Sequence, residues 1–130
     1  MDSIKIIETF SVLPGKLYTS WLNSEEHSGF TGGEAEIYPI VGSKYSAWDN
    51  YISGTILELE PNKRVLMSWR TEEFEETDAD SFLEIIFESK NGATLFILNH
   101  SNIPDGEGKK YEDGWKEHYI TPMKKYFEKR

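Results

Sequence analysis

The chain contains no cysteine, which removes disulfides, thiolate metal sites and cysteine nucleophiles from consideration. It has no apolar run near the roughly 20 residues that a membrane-spanning helix requires. The opening residues Met1-Asp2-Ser3-Ile4-Lys5 lack a basic stretch followed by an apolar one, so no secretory signal is expected and the default location is cytoplasmic. Basic residues are outnumbered: 14 Lys and Arg stand against 23 Asp and Glu, a net charge of -9. That balance disfavours nucleic acid and anionic membranes as partners. Catalytic signatures are equally sparse. No serine sits in Gly-x-Ser-x-Gly. His27, His100 and His118 show no His-x-x-x-His or His-x-His spacing, so neither a metal nor another cofactor is expected. The glycine cluster at Gly29–Gly33 has no lysine to make a phosphate loop and reads as a turn.

What the chain has in quantity is aromatic surface: 14% of its 130 residues are Phe, Trp or Tyr. A chain of this length is expected to form a single domain over 1–130, with a core built mostly of large rings.

The last stretch, Lys109 to Arg130, reads as one long amphipathic helix. Tyr111, Trp115, Tyr119, Met123 and Tyr126 recur at steps of four and three and form one stripe. Pro122 inside it removes a hydrogen bond and predicts a kink near His118. The stretch also carries half of all the Lys and Arg, while Glu72, Glu73, Glu75, Glu76, Asp78 and Asp80 form an acidic run. Both are read as solvated charge, with docking surfaces as the alternative.

The rest of the chain reads mostly as strands. Ile4 to Val12 alternates, with Ile4, Ile6, Glu8 and Phe10 on one face. Pro14 opens a short helix that puts Leu17, Tyr18, Trp21 and Leu22 together. Ser24 is read as the N-cap of a second short helix, ended by Gly32-Gly33. Glu34 to Val41 reads as a strand and Gly42 to Ala47 as a turn or loop leading to Trp48 and Tyr51. Ile52 to Glu60 is a strand, Pro61-Asn62 a turn, and Arg64 to Arg70 a strand with Val65, Met67 and Trp69 on one face. Phe82 to Glu88 groups Leu83, Ile85 and Phe87. Asn91-Gly92 is a strong hairpin signal, Ala93 to His100 the last strand, and Ser101 to Gly108 a loop. Short hairpin connections with segregated helices make an α+β class: one strand, two short helices, five or so further antiparallel strands and a long helix that the sheet wraps around.

The residues that would line a cavity between sheet and helix are Trp69, Trp115 and Tyr119, with Met67, Ile85 and Phe87 behind them and Val65 alongside. Glu8 lies on an apolar strand face, where burial would raise its pKa; the alternative is an acid that reaches water or pairs with a cation. Glu58 shares a face with Ile52 and Ile56, and its place beside a turn favours exposure. His100 ends a strand near the expected cavity mouth. No residue is assigned a catalytic role.

Glu8-Thr9-Phe10, Ser53-Gly54, Leu59-Glu60-Pro61, Met67-Ser68-Trp69-Arg70, Asn91-Gly92-Ala93-Thr94, Ile103-Pro104 and Gly114-Trp115 occur in one order. Together they resemble the C-terminal-type domain of activators of heat shock protein 90 ATPase, within the START-like (Bet v-like) helix-grip superfamily. The resemblance covers about Ile4 to Phe127 and looks most like small stand-alone members of bacterial type. It implies a curved antiparallel sheet of six or seven strands gripping the C-terminal helix, two short helices after strand one and a cavity under that helix. The aromatic stripe and the expected cavity favour binding over catalysis, with a small apolar ligand in the cavity; the resemblance, together with the acidic run and the basic helix, gives the alternative, action as a co-chaperone or stress-related module on a heat shock protein 90 homologue, by a monomer or weak dimer. A cyclase- or hydrolase-like enzyme is the remaining alternative, since related folds host such chemistry.

Overall fold

The computed structural model describes residues 1–128; Lys129 and Arg130, the end of the stretch read as the last helix, lie outside the described residues. Among the described residues, six strands form one antiparallel sheet. They are β1 (Asp2–Phe10), β2 (Lys44–Ala47), β3 (Ile52–Glu60), β4 (Arg64–Thr71), β5 (Ser81–Lys90) and β6 (Ala93–Ile103). Their order across the sheet is β1-β6-β5-β4-β3-β2, so the first strand closes one edge against the last. Two short helices, α1 (Pro14–Trp21) and α2 (Ser24–Thr31), follow β1, and the chain finishes on the helical stretch from Gly108 to Glu128. This is the helix-grip fold.

The alternation read in the strands is the alternation that is buried. Register aligns Ile6 with Leu98, Leu98 with Ile85 and Ile85 with Val65, one apolar row crossing four strands. Phe10, Phe87, Phe96 and Met67 lie on the same inner face, all at most 3% exposed. The Asn91-Gly92 turn has both residues at positive φ, as a tight primed hairpin turn demands. At Gly54 the neighbouring strand comes so close that a Cβ would lie 2.0 Å from the Ser68 carbonyl oxygen. Only glycine fits there.

Four features differ from the sequence reading, each for a local reason. The Glu34–Val41 stretch is not a ladder strand; it makes one bridge, Glu36 to Ser46. Side chains take up its backbone instead: Ile37 N–H donates to Ser24 Oγ at 2.9 Å, Ala35 N–H to Ser28 Oγ at 2.9 Å and Glu34 N–H to Asp49 Oδ1 at 3.0 Å. The strand lies just beyond, at Lys44–Ala47, inside the expected loop. The cap of α2 is Asn23, whose side chain accepts from Glu26 N–H at 2.9 Å, so Ser24 is the first helical residue rather than the cap. A bulge between Ile56 and Glu58 turns Glu58 off the inner face, where it pairs with Arg64 at 2.7 Å. Finally, β6 runs on to Ile103 through residues expected to be loop.

The last helix is not uniform. It is α-helical as α3 (Gly108–Trp115), widens to a π-helical turn over Lys116–Ile120, and resumes as α4 (Thr121–Glu128). Pro122 has no N–H to give to the carbonyl of His118, and Thr121 N–H reaches back five residues to the Lys116 carbonyl. The extra residue rotates α4 relative to α3. Met123 and Phe127 enter the core, at 0% and 3% exposed, and Tyr126 is left half-buried at the margin, its hydroxyl donating to Glu26 Oε1 at 3.2 Å.

Candidate functional site

Where α3 crosses β4, the rings do not close the interior completely. An open cleft of about 440 Å³ lies between the helix, the β2–β3 connection and the start of the β4–β5 connection. Trp69, Trp115, Tyr111 and Tyr119 form its inner wall. Trp69 meets Tyr111 edge to face with centroids 5.1 Å apart and lies 5.6 Å from Trp115, which is 4.7 Å from Tyr119. Edge-to-face and tilted contacts do not stack the rings flush, and each of the four stays buried, at most 6% exposed, while still lining the cleft. Gly114 leaves the helix surface bare at that point; a Cβ there would meet nothing within 4 Å.

The outer wall is Trp48 and Tyr51. Trp48, Asp49 and Asn50 all have positive φ, at 52°, 57° and 73°. Three successive left-handed residues cost roughly 1–2 kcal/mol each, and local bonds hold them: Asp49 N–H donates to the Glu34 carbonyl at 3.0 Å and Tyr51 N–H to the Trp48 carbonyl at 3.1 Å. Gly33 permits the arrangement, because a Cβ there would come within 2.8 Å of the Trp48 ring. Strained backbone that sets one indole on a rim is what binding sites tend to hold. The Trp48 ring also meets His118 edge to face at 5.7 Å.

The mouth is charged. Glu73 Oε1 accepts from Lys110 Nζ at 2.7 Å, and Glu73 Oε2 accepts from the Tyr51 hydroxyl. Lys110 holds the Glu73 carboxyl below its usual range, and burial together with Glu73 pushes the Tyr51 phenol up to about 12. The Lys110 ammonium also lies 5.0 Å from the centroid of the Tyr111 ring and 3.4 Å from Glu107 Oε1. The acidic run is therefore more than solvated charge. Phe74 within it is buried against Trp69 and Tyr111, and Arg70 straps it down by donating to Asp80 Oδ1 at 2.7 Å.

Behind the cleft wall lie two buried histidines. Trp115 Nε1–H donates to His100 Nδ1 at 3.0 Å; His100 Nε2–H then donates to Ser81 Oγ at 2.8 Å, and Ser81 Oγ–H to the Trp69 carbonyl at 2.6 Å. His27 Nδ1–H donates to the Trp21 carbonyl at 2.8 Å, and its Nε2 accepts from the Tyr119 hydroxyl at 3.0 Å. Burial lowers both imidazoles, His27 to about 4 and His100 to about 3. Both are neutral and fully bonded, which suits them to positioning Trp115 and Tyr119 rather than to proton transfer.

Of the residues expected to line a cavity, Trp69, Trp115 and Tyr119 meet at the cleft. Met67 and Ile85 are sealed in the core, and Phe87 packs against Tyr18 and Phe96 under α1. His100 stands one layer behind Trp115. Glu8 lies elsewhere, on the edge strand, where it pairs with Lys124 at 3.0 Å. Trp48, Tyr51, Glu73 and Lys110 were not foreseen as site residues. Two rings in a short polar loop were their only sequence signal.

Fold and cleft define the class: a helix-grip domain with an aromatic-walled recess under its last helix. The chain belongs to the Activator of Hsp90 ATPase homolog 1-like protein family, which it matches over residues 11–128. It is 29% identical over 124 residues to the human activator of 90 kDa heat shock protein ATPase homolog 1, covering 95% of this chain but only 36% of that protein. The chain thus spans about a third of the length of the curated relatives it matches. The crystal structure of an HSP90 activator from Plasmodium falciparum superposes with a TM-score of 0.83 at 26% identity, covering 92% of this chain and 91% of that one. The solution structure of an Aha1 dimer from Colwellia psychrerythraea shares the fold, with a TM-score of 0.78 at 16% identity over 98% and 94% of the two chains. No described helix is long and apolar enough to cross a membrane.

Proposed function

We propose that residues 1–130 act as one binding domain whose cleft takes a small, largely apolar ligand. The observation that carries this is the combination of volume and lining: about 440 Å³ lined by Trp48, Trp69, Trp115, Tyr111 and Tyr119, with few polar groups among them. Sites for small molecules have this size and this excess of aromatic wall over polar groups. The positions of Trp115 and Tyr119 are fixed from behind by His100 and His27, so the walls are set before a ligand arrives, which lowers the cost of binding. Intrinsic tryptophan fluorescence tests the reading. Three of the chain's four Trp line the cleft, so a small aromatic ligand should quench or shift the emission saturably and raise the melting temperature. Failure of every such compound to do either would remove the reading.

A second reading is a protein-interaction role on a heat shock protein 90 homologue, supported by the 29% and 26% identities to activators of that ATPase across nearly the whole chain. The test is ATP turnover by a purified heat shock protein 90 homologue with and without this protein at moderate salt. Unchanged turnover together with no association in a pull-down would dismiss it.

A further inference from the structure

The charges at the cleft mouth bear on what the cleft can hold. An aromatic face carries a negative quadrupole, and a cation over such a face is stabilised. One cation already uses it: Lys110 Nζ lies 5.0 Å from the Tyr111 centroid while bonded at 2.7 Å to Glu73 Oε1. It is not committed to that place, because Glu107 Oε1 is 3.4 Å away on the other side and its side chain is about half exposed. Glu73 is held more firmly, since Tyr51 engages its other oxygen. Two carboxylates, Glu73 and Glu107, thus stand around one ammonium. The surroundings are acidic as well, with the net charge at -9. A cleft of this sign attracts cations and repels anions.

We infer that the ligand of this cleft is an amphipathic organic cation, an apolar or aromatic body carrying an ammonium group that displaces Lys110 from Glu73 and from the face of Tyr111. The inference rests on the cleft being a ligand site, as proposed above. It adds the charge of the ligand and the residues that read it. The apolar body lies among Trp48, Trp69 and Trp115. The ammonium takes the place of the lysine, and Lys110 turns to Glu107. Lys110 is thus an internal competitor for the site, and Glu73, oriented by Tyr51, is its specificity-determining residue.

Three matched probes separate the possibilities: benzyltrimethylammonium, its neutral isostere neopentylbenzene, and phenylacetate, titrated by tryptophan fluorescence and calorimetry. The expected order is cation first, by about tenfold over the neutral probe, with the anion weakest. Lys110→Ala should strengthen binding of the cation several-fold by removing the competitor. Glu73→Gln should weaken it by about tenfold, through loss of the Coulomb attraction to the carboxylate, and leave the neutral probe unchanged. Equal binding of cation and neutral probe, tighter binding of phenylacetate, or weaker cation binding in Lys110→Ala would overturn the inference while leaving the cleft a ligand site. Binding of none of the three would overturn both. Both substituted side chains are about half exposed, so folded variants are expected, and thermal unfolding of each variant checks this.

Discussion

Trp115 and His100 are joined by a single hydrogen bond, Nε1–H to Nδ1 at 3.0 Å, and that bond decides the protonation of the histidine. An indole nitrogen can only donate, so Nδ1 must be bare and the proton must sit on Nε2, where it points to Ser81. One contact between the last helix and the sheet therefore orients a cleft wall and fixes a buried tautomer at once.

Trp115→Phe tests that coupling. The phenyl ring keeps most of the packing but leaves His100 Nδ1 buried without a donor. An orphaned buried acceptor costs about 1–3 kcal/mol, so a loss of about 2 kcal/mol is expected in urea denaturation, with the slope of the transition unchanged. A loss below about 0.5 kcal/mol would show that the hydrogen bond holds nothing in place.

The two buried imidazoles make stability depend on pH in a defined window. Their folded values, about 4 for His27 and about 3 for His100, lie below the ordinary 6.5. The unfolded chain therefore binds more protons than the folded one between those limits, and stability falls as pH falls through 6.5. At pH 5.5 each histidine costs about 1.4 kcal/mol relative to pH 8, about 3 kcal/mol for both. Glu73 and Glu84, lowered from 4.5 by Lys110 and Arg64, lose their contribution only further down. The double substitution His27→Gln, His100→Gln keeps one donor and one acceptor at each place but does not titrate. Denaturation midpoints at pH 8 and 5.5 should converge in that variant and stay apart in the parent.

Gly54→Ala should be among the most damaging single substitutions. The added methyl would meet the Ser68 carbonyl oxygen at 2.0 Å and Tyr45 Cε1 at 2.7 Å. Relief requires β3 to part from β4. A loss of at least about 3 kcal/mol is expected, read by thermal or urea unfolding, and a near-neutral effect would mean that the two strands can separate at little cost.

Gly114 offers the opposite case. Nothing lies within 4 Å of its would-be Cβ, and it sits in a helix, where Ala is favoured over Gly by about 0.8–1 kcal/mol. Gly114→Ala should raise stability by about that amount. Gly114→Leu should retain the fold and fill the cleft, abolishing fluorescence changes with small aromatic ligands. Ligand responses that survive in Gly114→Leu would place binding elsewhere.

The periodicities that depend only on neighbours along the chain were legible. The alternation of Val65, Met67 and Trp69, and of Leu83, Ile85 and Phe87, fixes which face is inside, because side chains on a strand change sides at every residue. The stripe Tyr111–Trp115–Tyr119–Met123 placed the last helix on that face, and three of its rings line the cleft. The ordered motifs pointed to the family that residues 11–128 match. Wherever one residue was inserted, the periodicity misled. The bulge before Glu58 takes it off the face of Ile52 and Ile56, leaving it exposed as its place beside a turn favours, and after the π-helical turn at Lys116–Ile120 Met123 stays in the core while Phe127 replaces Tyr126 there.

Other features depend on distant partners and have no local period at all. Glu34–Val41 alternates like a strand, yet the hydroxyls of Ser24 and Ser28 take the backbone bonds a neighbouring strand would have taken. Phe74 is buried among acids because Trp69 and Tyr111 happen to lie beneath it. Trp48 and Tyr51 became an outer wall through three left-handed residues and a close approach to Gly33. The sequence by itself determined the faces, the class of fold and the family, since these follow from spacing and order. Tertiary structure alone decided which rings line the cleft and which charges stand at its mouth, since the cleft is the space left between elements far apart along the chain.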